Sequence, residues 1–424
     1  MKTYYKRICD QILTDKLEAK GAVLIKGAKW CGKTTTAENI AKSVIYMEDP
    51  GKKKQYLEMV DMNPSQLLQG EVPRLIDEWQ LAPKLWDAVR FEIDQRDDFG
   101  QFILTGSAVP ADFSEISHTG TGRITSMLMR PMTLFESGES NGSVSLYDLF
   151  NKEQGINGTC GHHLEDIAFY ICRGGWPKAV GQSKKVALAQ ASDYYEAVVE
   201  SDISRVDGIT RDADRARRIM RAYARSVSSE ATITSILQDV RTDERDSFSE
   251  NTLRSYLSAL KKVYVIEDNP AWNPNLRSKT AVRSSDTRYF VDPSVGTAAL
   301  GAGPQDLIND LATMGLLFEN LCIRDLRVYA EAMDGRVYHY RDKSGLECDA
   351  VVHLKNGKYG LIEIKLGGDR LIEEGARNLL KFCDRIDSEK MGEPAFMMVL
   401  CGVAPYAYKR NDGVMVVPIG CLKD

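Results

Sequence analysis

Residues 27–34 read Gly-Ala-Lys-Trp-Cys-Gly-Lys-Thr and directly follow the apolar run Ala22-Val-Leu-Ile-Lys26. Nothing else in the chain restricts the fold as much. A glycine-rich loop between a buried strand and a helix is the phosphate-cradling unit of a parallel α/β sheet. Gly27 and Gly32 permit the tight backbone path, so that successive N–H groups across Ala28, Lys29, Trp30 and Cys31 turn inward. Lys33 then reaches the β- and γ-phosphates, the Thr34 hydroxyl ligates Mg²⁺, and Thr35 completes the set. The group expected in such a loop is ATP with Mg²⁺.

A phosphate loop needs a second carboxylate at the end of a neighbouring strand. Leu75-Ile76-Asp77-Glu78 supplies one: Asp77 is expected to hold Mg²⁺ through water, with Glu78 as the base that polarises the attacking water. The plainer reading of the pair is a solvated loop start. Thr105 and Ser107, in Leu104-Thr-Gly-Ser107, stand where a polar sensor would read the γ-phosphate, or are ordinary hydroxyls in a glycine turn. Arg123 reads as an arginine finger, as a ligand of the nucleotide in its own subunit, or as a surface arginine.

Strands alternating with helices predict a doubly wound parallel sheet over residues 1–136. The polar stretch Glu136 to Ser143 has linker composition, and 137–159 is read as a linker. Residues 160–235 are read as a helical region broken at Gly174-Gly175-Trp176-Pro177. Ser247 and Glu250 make a capping-box pattern, Leu253, Leu257, Leu260 and Val263 keep helical spacing, and Val263 to Ile266 is strand-like. That order predicts a winged-helix-like module over 236–295, followed by a separate α/β domain over 296–424. Trp176 and Trp272 are expected to pack, and His162 and His163 are given no role.

The net charge of −5 restricts any nucleic-acid contact to a local patch. Arg211, Arg215, Arg218, Arg221 and Arg225 fall near one helix face, as a phosphate track or as a salt-bridged surface shared with Asp207, Asp212 and Asp214. Nine cysteines are scattered singly, which fits reduced thiols and a cytoplasmic location. The uncharged stretch Ala395 to Tyr408 is too short to span a bilayer and reads as a buried strand and a turn.

Together these residues resemble the AAA+-like P-loop ATPases of bacteria and archaea whose C-terminal half is a domain of unknown function. The resemblance rests on Gly27–Thr35, Leu75–Gln80, Leu104–Ser107, Gly122-Arg123 with Pro131 and Glu136, and Gly174–Pro177. It continues through Asp202-Ile203, Phe290–Pro293, Leu317–Asn320 and Tyr340–Asp342 to Lys365. It implies nucleotide and Mg²⁺ binding for the N-terminal motifs. Lys29-Trp30-Cys31 departs from the more usual Arg-Gln-Val, and these side chains are expected to point away from the cradle.

Glu347-Cys348-Asp349 through Glu363-Ile364-Lys365 resembles the PD-(D/E)xK nuclease core. There two carboxylates share a Mg²⁺ and a lysine positions the attacking water. Glu319, in an apolar helical stretch, is a third candidate metal ligand. A two-residue turn at Asn356-Gly357 would pair Asp349 with Ile364 and face it away from Glu363. A three-residue loop would pair it with Lys365 and bring all three together. The alternatives are a fold retained for binding and a salt-bridged hairpin. Three functions follow: an ATPase driving a DNA- or protein-directed task, an ATP-gated nuclease, or a nucleotide-dependent switch with little turnover. Arg123 hints at a homo-oligomer.

Overall fold

Five short runs become the strands of one parallel sheet: β1 (Ala22–Lys26), β2 (Ser43–Tyr46), β3 (Arg74–Asp77), β4 (Phe102–Gly106) and β5 (Ile124–Leu128), in the order β2-β3-β4-β1-β5. The computed structural model describes residues 4–107, 119–151, 156–241, 248–273, 285–386 and 388–424. Two compact units result. The first is Met1–Pro131 with Ala197–Asp212 and Ser258–Val265, and the second is Met132–Glu196, Ala213–Leu257 and Ile266–Asp424.

In the first unit the strands are apolar on both faces, as a sheet covered on both sides requires. Val23, Ile25, Leu75 and Ile103 pack with Leu13 and Leu17 of the helix Cys9–Ala19. Their strand neighbours Ala22, Leu24, Ile76 and Leu104 pack on the other face with Leu85, Val89 and Ile93 of the helix Leu85–Arg96. Strand β5 was not expected from the sequence. It lies at the sheet edge and carries Thr125 and Ser126, so it has no continuous apolar run.

The second unit holds β6 (Val144–Ser145), β7 (Gly158–Thr159), β8 (Gly335–Arg341), β9 (Glu347–Leu354), β10 (Tyr359–Gly367), β11 (Phe396–Val403), β12 (Tyr406–Lys409), β13 (Met415–Pro418) and β14 (Leu422–Lys423). Seven of them form a mixed sheet ordered β7-β12-β13-β11-β10-β9-β8. The helix Asp369–Cys383 places Ile372, Ala376, Leu379 and Phe382 in its core, beside Val351, Leu361 and Val399. The uncharged run from Ala395 is β11 and the turn into β12. Trp272 and Trp176 are both buried, as expected.

Two motifs of the resemblance meet in a buried polar network. Asp292 accepts from the Gly175 N–H at 2.9 Å and pairs with Arg324 at 2.8 Å. Arg324 also pairs with Asp325, whose carboxylate accepts from the Leu134 N–H at 3.0 Å. Trp176 donates to Ser294 at 2.9 Å. The Asn320 amide bonds both backbone groups of Phe290, at 3.1 and 2.8 Å, as a strand partner would.

Two local expectations give way. The stretch Glu136 to Ser143 is pinned rather than loose: Asn141 N–H donates to the Gly420 carbonyl at 2.9 Å, and Ser140 to Leu422 at 2.6 Å. Val263 to Ile266 forms no strand, because Tyr264 turns to φ 58° and only Ile266 makes a bridge, to Phe290. Ser247 lies outside the described residues. The Ser249 hydroxyl caps the helix Glu250–Lys262 by accepting from the Thr252 N–H at 3.1 Å. No helix among the described residues is long and apolar enough to cross a membrane.

Candidate functional site

The loop after β1 is wrapped by bonds from outside. Gly27 has φ 150° and Gly32 φ 107°, both outside the range comfortable for a side chain, and a Cβ at Gly27 would run into the Met129 carbonyl oxygen. The loop carbonyls are taken up by cations. Lys33 donates to Gly27 and Ala28 at 2.9 and 2.8 Å, and Arg7 donates to Cys31 at 2.8 Å and to Arg130 at 2.8 Å. These bonds hold the tight backbone path that a phosphate-cradling loop requires.

The three unusual loop side chains each go elsewhere. Lys29 pairs with Asp202 at 2.6 Å, Trp30 is 41% exposed at φ 67°, and Cys31 is buried. Ala28 is buried and Thr35 exposed, whereas Thr36 is buried and shares a 3.0 Å hydrogen bond with Tyr4. Sequence reasoning missed Arg7, Tyr4 and the Lys29–Asp202 pairing; Asp202 was singled out only through the resemblance, without a partner.

Strand β4 runs between β1 and β3, in register Asp77↔Thr105 and Ile25↔Thr105. That register sets three groups together at the strand ends. Asp77 Oδ1 accepts from Thr34 at 2.7 Å and from Thr105 at 2.6 Å. A threonine hydroxyl and a carboxylate are the hard oxygen donors that Mg²⁺ prefers, so the donor set fits that ion. Glu78 turns back at φ 55°, a conformation rare for a non-glycine residue and common at functional sites. Its carboxylate accepts from Gln80, and from Ser107 at 3.3 Å. Burial pushes the Glu78 carboxyl above its usual range, and Lys33 opposes that rise.

Arg123 stands at the other end of the sheet. Its carbonyl accepts from Ala22 N–H at 3.2 Å, at the start of β1, whereas the loop leaves the far end of that strand. Its guanidinium pairs with Asp94 at 2.7 Å. Five residues of strand, at about 3.3 Å each, separate it from the loop. The reading in which Arg123 binds nucleotide in its own subunit therefore fails on distance.

In the second unit β9 and β10 pair Val352 with Gly360 and Ala350 with Ile362, around a turn in which Leu354 N–H donates to Lys358. The loop is the three-residue one of the two expected turns, in a different register from the one expected for it. The turn residues are Lys355-Asn356-Gly357, and Asp349 and Glu363 lie just beyond the last of these pairs. Lys365 lies between them, 3.2 Å from Asp349 and 2.7 Å from Glu363. Burial first, and Asp349 second, push the Glu363 carboxyl up to about 8. Burial opposes the charge of Lys365, but the two carboxylates outweigh it and hold its pKa above the usual lysine range.

The expected three-carboxylate metal set is not assembled. Glu319 accepts from Tyr289 at 2.5 Å, Asp349 from the Ile364 N–H at 2.7 Å, and Glu363 from Asn378 at 2.7 Å. Each carboxylate is engaged by a protein donor. Among the described residues no three His, Cys, Asp or Glu side chains group to hold a metal ion. The arginine track is also reduced. Arg211 lies before the helix Ala213–Arg225, buried and paired with Asp207 at 2.7 Å.

Residues 19–137 match a family model described as an AAA domain, 164–306 a domain of unknown function (DUF8612), and 314–422 another (DUF4143). No curated protein matches the chain. Among solved structures, a signal transduction ATPase with numerous domains and a tetratricopeptide repeat sensor, from Pyrococcus horikoshii, is 14% identical with a TM-score of 0.23. That match covers 78% of this chain and 48% of the other, so the chain spans about half that protein's length. A DNA replication initiation factor is 14% identical with a TM-score of 0.24, over 59% of this chain and 85% of that one. Both likenesses are remote. The phosphate loop, its parallel sheet and the family match together make residues 19–137 an AAA-like P-loop domain.

Proposed function

We propose that the chain is a Mg²⁺-dependent ATPase whose nucleotide state drives a DNA- or protein-directed task. One observation carries this reading: a single oxygen of Asp77 gathers the loop's Thr34 and the β4 Thr105. Lys33, Thr34 and Asp77 would hold ATP and Mg²⁺, the ion neutralising phosphate charge when bound. Glu78, raised by burial, would take the proton of the attacking water. Arg123 could serve only a neighbouring copy's nucleotide, which makes a homo-oligomer part of the proposal. The helices Ile233–Val240 and Glu250–Lys262, followed by the antiparallel bridges Ile266↔Phe290 and Asn269↔Thr287, support a winged-helix-like role in contacting the target.

Steady-state phosphate release tests the chemistry. Glu78→Gln is expected to lower kcat by about 10²-fold or more while calorimetry still shows ATP uptake, and Lys33→Ala to abolish uptake. Equal turnover in wild type and Glu78→Gln would reject the assigned base.

The convergence of Asp349, Glu363 and Lys365 supports a second reading, a PD-(D/E)xK-like core in the second unit. Lys365 fills the cationic position between the carboxylates, so no cleavage step is assigned to them.

A further inference from the structure

The Gln80 side chain has a donor that is used and an acceptor that is not. Its Nε2 donates to Glu78, and because only the NH₂ end of an amide can donate to a carboxylate, its orientation is fixed. Its Oε1 is then left buried, with no hydrogen-bond partner. Such an atom is expensive to keep unless something arrives to satisfy it. Gly106 makes the arrangement possible: a Cβ there would lie 2.9 Å from that oxygen and 3.1 Å from Trp79 Nε1. The unpaired acceptor thus lies against the end of β4, one residue from Thr105, beside the candidate base.

We propose that Gln80 is a positioning residue for hydrolysis, fixing Glu78 through Nε2 and accepting one hydrogen of the attacking water through Oε1. The inference rests on the ATPase reading above. Water has two hydrogens to place. One proton goes to the Glu78 carboxylate as the water oxygen bonds to the γ-phosphorus. The bond from that phosphorus to the β–γ bridging oxygen breaks, and its electron pair leaves with ADP. The other hydrogen, held by Gln80, stays on the product phosphate. Two acceptors on one water fix the direction of its lone pair, which is the geometric part of such catalysis.

Kinetics and calorimetry on the full chain test this. Gln80→Ala is expected to lower kcat by about 10²-fold with KM and the calorimetric Kd for ATP unchanged. Gln80→Met keeps the bulk of the side chain without its donor or acceptor and is expected to lose kcat as far as Gln80→Ala does, a loss a packing role would not produce. Full or faster turnover in Gln80→Ala would overturn the proposal. So would a loss of ATP affinity matching the loss of kcat, or full turnover in Gln80→Met. A wild-type chain that takes up no ATP would sink the ATPase reading and this inference together. Uptake and turnover with an indifferent Gln80→Ala would sink this one alone.

Discussion

Arg7 is buried, and its guanidinium donates to two backbone carbonyls that belong to different segments, Cys31 in the loop and Arg130 beyond β5. Truncating it would leave both carbonyls without that donor. Arg7→Ala is expected to lower stability by about 2–3 kcal/mol in urea denaturation and to weaken ATP binding, because the loop loses its outer brace. Arg7→Lys should recover only part of the loss, since an ammonium lacks the planar fork. An unchanged midpoint in Arg7→Ala would contradict the brace. At this scale the sequence is uneven. Lys33, Thr34 and Asp77 are legible because a phosphate chain demands those groups at those spacings. Arg7 is not, because a backbone carbonyl can be capped from anywhere and leaves no motif.

The hairpin of β9 and β10 shows what one residue of register decides. Side chains alternate across a strand, so a slip by one would turn Asp349 away from Glu363. The residues Asp349, Glu363 and Lys365 were legible as a set, and of the two turns left open the chain takes the three-residue one, with Lys355 beside Asn356-Gly357; the register was not legible. The register carries a pH dependence. The Glu363 carboxyl titrates near 8 in the folded chain, above its ordinary value near 4.5. The contribution of its protonated form is fully present below about pH 4.5 and is lost as pH rises through about 8. The thermal stability of the wild type should therefore fall between about pH 5 and 9. Glu363→Gln should show a flatter profile over the same span. Parallel profiles would place the titration elsewhere.

For the whole molecule, each unit has its own apolar core, one around β1, β3 and β4 and the other around β10, β11 and the helix Asp369–Cys383. Calorimetric scans are expected to show two transitions, as chains with several cores commonly do. ATP at about a hundred times its Kd should stabilise the first unit by about 2.7 kcal/mol, moving one transition. A single transition, or ATP moving both alike, would argue against separate cores. Alternation of strand and helix made the parallel sheet of the first unit legible. The path of the chain was not, because segments 197–212 and 258–265 join that unit through packing that no local pattern announces.

One of those late segments brings Asp202, the carboxylate that holds Lys29. A fragment ending at Pro131 would retain every residue facing the phosphates and discard that counter-charge. The Lys29 ammonium, beside the loop, would lose its counter-charge, so a trimmed domain would meet polyphosphates on electrostatic terms the intact protein never uses.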